Sequence, residues 1–233
     1  MSISIVGLDA DDTLWHNETI FRMTRDRFCG LLAEFADAAG VEAHLEGVER
    51  RNIGVYGYGA KGFTLSMLET ALAISDRRVS PVVLDEILTA GREMMRHPIE
   101  PLPGVLDALA VLNDQVKLVL ITKGDLFHQE TKLAASGLGD YFEGVEIVSE
   151  KTPDTYRRVF ARYGEGPETA LMAGNSVKSD ILPALAAGAW AALIPYHLVW
   201  AHEAAEAPAS HPRYRELATL ADLPAWIAEI RSA

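Results

Sequence analysis

The apolar run at residues 3–8 is broken only by Ser4 and Gly7, and it stops abruptly at Asp9-Ala10-Asp11-Asp12-Thr13. A short, continuous apolar run predicts a strand buried on both faces, as in a parallel sheet. From Trp15 the period changes. Phe21, Phe28, Leu32 and Phe35 recur at helical spacing between Arg22, Arg25, Asp26 and Glu34. This predicts an amphipathic helix started by Asn17 or Thr19 and stopped by Gly40. Two more helical patterns follow, over 63–74 and from Ser80 or Pro81 to Met95, before Pro98, Pro101, Pro103 and Gly104 punctuate the chain. Residues 15–99 therefore form an all-helical insert. From Val105 onward helices and strands alternate: helix 105–112, strand 116–121, helix 127–135, strand 145–148, helix 154–163, strand 169–173, helix 180–187 and strand 189–194. Alternation of this kind predicts an α/β fold with a parallel sheet and crossover helices. A surface loop at 197–211 and a short helix at 223–230 complete the chain.

Within the insert, residues 50–63 crowd four glycines, two tyrosines and three cations together. Gly57, Gly59 and Gly62 have the spacing of a dinucleotide loop, but they follow a charged stretch rather than a strand, and Lys61 is misplaced for a phosphate-cradling loop. The expectation is a mobile loop facing substrate, with Tyr56, Tyr58 and Lys61 as ligand contacts.

Composition narrows the function. The chain has 233 residues, 49% of them hydrophobic, enough for one large domain or a core with an insert. A net charge of -12 argues against general affinity for nucleic acid or anionic membrane. The single cysteine, Cys29, makes no internal disulfide and fits a reducing cytoplasm. No charged segment followed by an apolar core opens the sequence and no apolar run reaches membrane-spanning length, so neither a secretion signal nor a membrane anchor is expected.

The candidate chemistry lies where the strands end. Asp9 and Asp11 leave the first strand at its carboxyl end, the side of an open α/β sheet that binds ligands. Two acids at i and i+2 repel. They therefore hold a cation, divide labour between a charged and a protonatable carboxyl, or merely form an acidic turn capped by Asp12 or Thr13. The later strands end in Thr122-Lys123-Gly124-Asp125, Ser149-Glu150-Lys151-Thr152-Pro153 and Gly174-Asn175-Ser176 with Asp180 beyond. Together these offer a nucleophile (Asp9), a proton carrier (Asp11), an anion cradle (Thr122 with the amides of Lys123 and Gly124) and a cation (Lys151). Phosphoryl transfer needs that inventory.

In this order the motifs resemble the haloacid dehalogenase superfamily on its phosphatase side. Asp9, Asp11 and Thr13 match its first motif, Thr122 its second, Lys151 with Pro153 its third, and Gly174, Asn175, Ser176 and Asp180 its fourth. The resemblance implies a Rossmannoid core over residues 1–14 and 100–233, with a helical cap at 15–99 that selects substrate. It also implies a magnesium ion and an aspartyl-phosphate intermediate formed from a small-molecule phosphate ester. Asp9, the Asp11 carbonyl and Asn175 would hold the metal. Asp180 would hold a metal-bound water or orient Lys151, or move into direct contact. One departure matters: the usual phosphatase has Asp where this chain has Asn175, which implies weaker metal binding. The rivals are a 2-haloacid dehalogenase acting without metal, which has no use for Asp11, and a non-catalytic ligand-binding protein of the same fold. A dinucleotide-dependent oxidoreductase would rest on the insert's glycines alone.

Overall fold

A computed structural model describes residues 3–198 and 200–232. The elements in chain order are β1 (Ile5–Leu8), α1 (Glu18–Leu31), α2 (Ala38–Tyr56), α3 (Ala60–Ile74), α4 (Pro81–Arg96), α5 (Val105–Asn113), β2 (Lys117–Lys123), α6 (Leu126–Ser136), β3 (Gly144–Val148), α7 (Pro153–Tyr163), β4 (Ala170–Gly174), α8 (Leu182–Ala187), β5 (Trp190–Leu193), β6 (Tyr214–Glu216) and α9 (Leu223–Ser232). The chain divides into two compact units, Met1–His16 with Ile99–Ala233, and Asn17–Pro98. Among the described residues, no helix is long and apolar enough to cross a membrane.

The first unit is an α/β Rossmannoid layer. Its six strands are all parallel, in the order β3-β2-β1-β4-β5-β6. Side chains alternate across the sheet. Val6, Leu8, Leu118 and Leu120 face α5 and α9, while Ile5, Val119 and Ile121 face α7 and α8. Gly7 shares the second face with Ile5, and glycine is needed there because a Cβ would crowd Ile121, Met172 and Phe160. Register sets the site: Leu8 is paired with Leu120 on one side and Ala173 on the other. Asp9 therefore leaves the sheet between the turns that follow β2 and β4. Helix starts along this edge are fixed locally. Asp125 accepts from the His128 amide at 2.9 Å, and Thr152, ahead of Pro153, accepts from the Thr155 amide at 3.1 Å.

The second unit packs α1 to α4 around Phe28, Leu32, Leu45, Phe63, Met67 and Ile87. Here the structure corrects two expectations. Gly40 does not stop the first helix, which ends at Leu31. Gly40 instead belongs to the first turn of α2, where its amide donates to the Asp37 carboxylate at 2.8 Å. Nor is 50–63 a loop. Residues 50–56 continue α2, and only 57–59 link it to α3, with Gly57 and Gly59 at positive φ. In the first unit, strand β6 was not anticipated, and the helix expected at 180–187 is a π-type turn, Val177–Ile181, followed by α8. Trp15 and His16 belong with the core: the fully buried Trp15 bridges Asp11 and Pro101 through its backbone.

Candidate active site

The four strand ends meet in one hydrogen-bonded network. Asp9 is buried and closes β1 through its amide, which donates to the Ala173 carbonyl at 3.0 Å. Lys151 sits after β3, on the far side of β2, and its long side chain reaches Asp9 Oδ1. The same Nζ donates to Asp180 Oδ1 at 2.6 Å. Asp180 has no exposed surface, and its Oδ2 accepts from the Ser176 amide at 2.9 Å. Its carboxylate lies against Gly174, so closely that a Cβ at 174 would run into it. Thr13 Oγ1 donates to Asp9 Oδ2 at 3.2 Å and accepts from the Asn175 amide at 3.1 Å, binding the first strand end to the fourth.

Asp11 faces α6. Its Oδ1 accepts from Trp15 Nε1 at 2.7 Å and from Lys132 Nζ at 2.8 Å, and its Oδ2 from Gln129 Nε2 at 3.2 Å. Gln129 Nε2 also donates to Thr122 Oγ1 at 2.7 Å, so one amide joins Asp11 to the second strand end. Lys123 sends its ammonium away from this cluster to Glu203 Oε1 at 2.6 Å, while Gly124 bends the chain at φ 142° toward α6.

These contacts set the charge states. Burial raises the Asp9 carboxyl to about 7, against the pull of Lys151 and with Asp180 adding to the rise. Burial opposes the Lys151 charge as well, but Asp180 and Asp9 together hold that ammonium above its usual range. At Asp11 burial is outweighed by Lys132 and by the donors of Lys132, Trp15 and Gln129, so its pKa is lowered and it stands as a carboxylate.

One corner of the network bears on metal. With its carbonyl turned inward, Asn175 Oδ1 lies 3.2 Å from Asp9 Oδ2 and 3.3 Å from the Asp11 carbonyl oxygen. Three oxygen acceptors then lie together beside the Thr13 hydroxyl, an arrangement that a cation would stabilise. Ligand distances of about 2.1 Å place neighbouring oxygens of an octahedral magnesium site about 3 Å apart, close to the two separations from Asn175. Without a cation the amide turns over and its NH₂ donates to both oxygens. Among the described residues no three His, Cys, Asp or Glu side chains gather into a metal cage. The candidate corner has one carboxylate, one amide and one backbone carbonyl.

Asp9, Asp11, Thr122, Lys151, Asn175 and Asp180 thus share one network. Tyr56, Tyr58 and Lys61 belong to the second unit, where Tyr56 Oη donates to Glu69 Oε1 at 3.2 Å and Lys61 is exposed. Gln129, Lys132 and Glu203 join the network from outside the strand-end motifs.

A parallel sheet with paired acids at the end of its first strand, a lysine from the third and a polar turn from the fourth defines a Rossmannoid hydrolase. The chain belongs to the haloacid dehalogenase-like hydrolase family, whose model matches residues 3–188. A haloacid dehalogenase-like family hydrolase from Xanthomonas campestris is 41% identical, with a TM-score of 0.89 over 99% of this chain and 93% of that one. A magnesium-bound HAD-hydrolase from Bacillus subtilis is 16% identical, with a TM-score of 0.68 over 97% and 99% of the two chains. A 2-haloacid dehalogenase from Pseudomonas syringae is 20% identical, with a TM-score of 0.64 over 98% and 99%. At those identities the last two share the fold alone. No curated protein matches the chain.

Proposed function

We propose that this hydrolase is a magnesium-dependent phosphatase acting on a small-molecule phosphate monoester through an aspartyl-phosphate on Asp9. The observation that carries the reading is the corner formed by Asp9, Asp11 and Asn175, taken with the charge around it. The carboxyl groups of Asp9, Asp11, Asp180 and Glu203, with Glu150 4.0 Å from Lys123, outnumber the ammoniums of Lys123, Lys132 and Lys151. A phosphate dianion is repelled by that balance, and a divalent ion offsets it. Asp9 Oδ2, the Asp11 carbonyl and Asn175 Oδ1 would hold the ion, which supplies charge neutralisation for nucleophile and substrate.

Asp9 attacks phosphorus, and the bond to the leaving oxygen breaks as the Asp9–phosphorus linkage forms. Asp11, a carboxylate in this structure, first takes a proton, from solvent or a substrate monoanion, as substrate displaces its Lys132 contact, and gives that proton to the leaving oxygen. It is then the carboxylate seen here, and in that form it takes a proton from the water that attacks phosphorus and releases Asp9. Thr122, the amides of Lys123 and Gly124, and Lys151 bind the equatorial oxygens. Residues 17–98 would act as the cap that selects the ester, with Tyr56, Tyr58 and Lys61 as its contacts. The net charge of -12 favours a small molecule over nucleic acid or an anionic surface as partner, and the lone Cys29 fits a cytoplasmic setting.

The presence of Asp11 favours this reading over a dehalogenase, because displacing halide from carbon leaves no alkoxide to protonate. The test measures phosphate release from p-nitrophenyl phosphate with and without magnesium, beside halide release from 2-chloropropionate in chelator. Magnesium-dependent phosphate release is expected. Halide release in chelator without phosphate turnover would replace the phosphatase reading with its rival.

A further inference from the structure

The segment after β5 lies outside all four strand-end motifs, yet it carries a carboxylate into their midst. Glu203 closes a short 3₁₀ turn, Ala201–Glu203. Its Oε2 accepts from both Ser176 Oγ and Ser179 Oγ. Its Oε1 accepts from Lys123 Nζ at 2.6 Å, and the same ammonium donates to Ser179 Oγ at 2.8 Å. Lys178 Nζ holds the turn from outside by donating to the His202 carbonyl at 2.7 Å. The Lys123 and Glu203 side chains are only 12% and 16% exposed, so these are charge-assisted bonds shielded from water rather than a solvated surface pair.

We propose that Glu203 is a positioning residue: its carboxylate fixes the spacing between the turn at the end of β2 and the turn at the end of β4. The topology gives that spacing its importance. β1 runs between β2 and β4, so Asp9 stands between the two turns that Glu203 ties together. Lys123 directly follows Thr122. Ser176 directly follows Asn175, and Ser179 directly precedes Asp180. The clamped turn needs support, because its amides of Asp180 and Ile181 both converge on the Ser176 carbonyl, at 2.8 and 3.2 Å, in a π-type geometry that is rare in isolation. One carboxylate oxygen grips the two hydroxyls three residues apart and so fixes the direction of both Asn175 and Asp180. The other oxygen anchors that grip to β2. The assignment of Asn175 to a metal corner rests on the phosphatase reading; the spacing itself does not.

The test compares Glu203→Ala, Glu203→Gln and Ser176→Ala with the full-length parent by three measurements. These are amide hydrogen exchange without metal, magnesium binding alone by calorimetry, and kcat and KM on p-nitrophenyl phosphate. Glu203→Ala is expected to speed exchange at 122–126 and 174–181 by about tenfold or more, with β1 and residues 17–98 unchanged. Metal affinity should fall several-fold and kcat on the order of 10²-fold, the cost of ångström-scale misplacement, with KM changing less. Glu203→Gln, which keeps an acceptor for Lys123, should fall between, as should Ser176→Ala. Unchanged exchange in both turns, or faster exchange spread evenly over the chain, would overturn the proposal. If the parent releases no phosphate, the phosphatase reading fails, while exchange in the two turns still decides the role of Glu203.

Discussion

The two units each bury charge, and they do so in opposite ways. In the first, Asp9, Asp11, Asp180, Lys132 and Lys151 have close, directed partners: Asp180 takes Lys151 Nζ at 2.6 Å and the Ser176 amide at 2.9 Å, Asp9 takes Lys151 and Thr13, and Asp11 takes Lys132. In the second, Glu49 is 8% exposed and meets Arg25 only at 3.9 Å, while Glu18 meets the same arginine at 3.8 Å. One loosely held guanidinium, lying over the Phe63 ring at 5.7 Å, serves two carboxylates. Burial therefore dominates, raising Glu49 to about 7 and Glu18 above its ordinary value. A buried charge does not by itself mark a catalytic site, since burying ions costs stability wherever partners are poor. Convergence marks it: several donors from separate strand ends, each satisfied, on atoms a few ångströms apart.

That contrast can be broken most severely at Asp9. Asp9→Asn keeps the shape and leaves Lys151 paired with Asp180, so the protein should stay folded while kcat/KM on p-nitrophenyl phosphate drops by at least about 10³-fold. Retained turnover would remove Asp9 as nucleophile. Next comes Gly174→Ala, whose Cβ would displace the Asp180 carboxylate from Lys151 and the Ser176 amide. Urea unfolding should show a loss of about 1–3 kcal/mol, together with loss of activity. A neutral result would mean that the Asp180 contacts are not over-determined.

The loose cluster predicts the reverse sign. Glu49 takes up its proton at about 7 in the folded chain against an ordinary 4.5. Between those values the folded form holds a proton that the unfolded chain has released, so stability falls as pH rises through this window. Above about 7 the loss is complete. Glu49→Gln should therefore be more stable than the parent at pH 8, by about 1–3 kcal/mol, and no more stable at pH 4. A less stable variant at pH 8 would show that the Arg25 pair outweighs burial. The smallest effect is expected from Asn175→Asp, which adds one negative charge to the metal corner. The magnesium concentration for half-maximal activity should fall, by several-fold on the order of 1 kcal/mol. No change, or a rise, would contradict a role for Asn175 as ligand.

Much of the sheet was legible because buried parallel strands are apolar runs that end in polar turns, and β1, β2, β4 and β5 follow that rule; β3, an edge strand with Glu146 within it and only Val148 buried, follows it less closely. β6 did not, being three residues long with Arg215 and Glu216 exposed. In the second unit, glycines misled. Gly54 faces open space, so it sits in α2 without a packing penalty, and Asp37 as N-cap makes Gly40 part of a helix start. At the site, Asp9, Asp11, Thr122, Lys151, Asn175 and Asp180 could be read because chain order placed each at a strand end. Gln129 and Lys132 could not. Helical periodicity alone would turn Leu126 and Phe127 inward, yet they are 59% and 66% exposed while His128, Gln129 and Lys132 are buried. This inverted face of α6 exists because Asp11 supplies the partner, and that contact crosses 121 positions of sequence. Glu203 reaches Ser176 across 27 positions from a stretch with no regular pattern, so only the folded chain discloses it.

The proposed phosphatase chemistry stands or falls on a divalent ion between Asp9, Asp11 and Asn175. It is tested most directly by crystals grown with manganese and measured at an anomalous wavelength. A single strong peak is expected within coordination distance of Asp9 Oδ2, the Asp11 carbonyl and the Asn175 side-chain oxygen. An Asn175 amide turned over, with its nitrogen donating to Asp9 and Asp11 and no peak at saturating manganese, would contradict it.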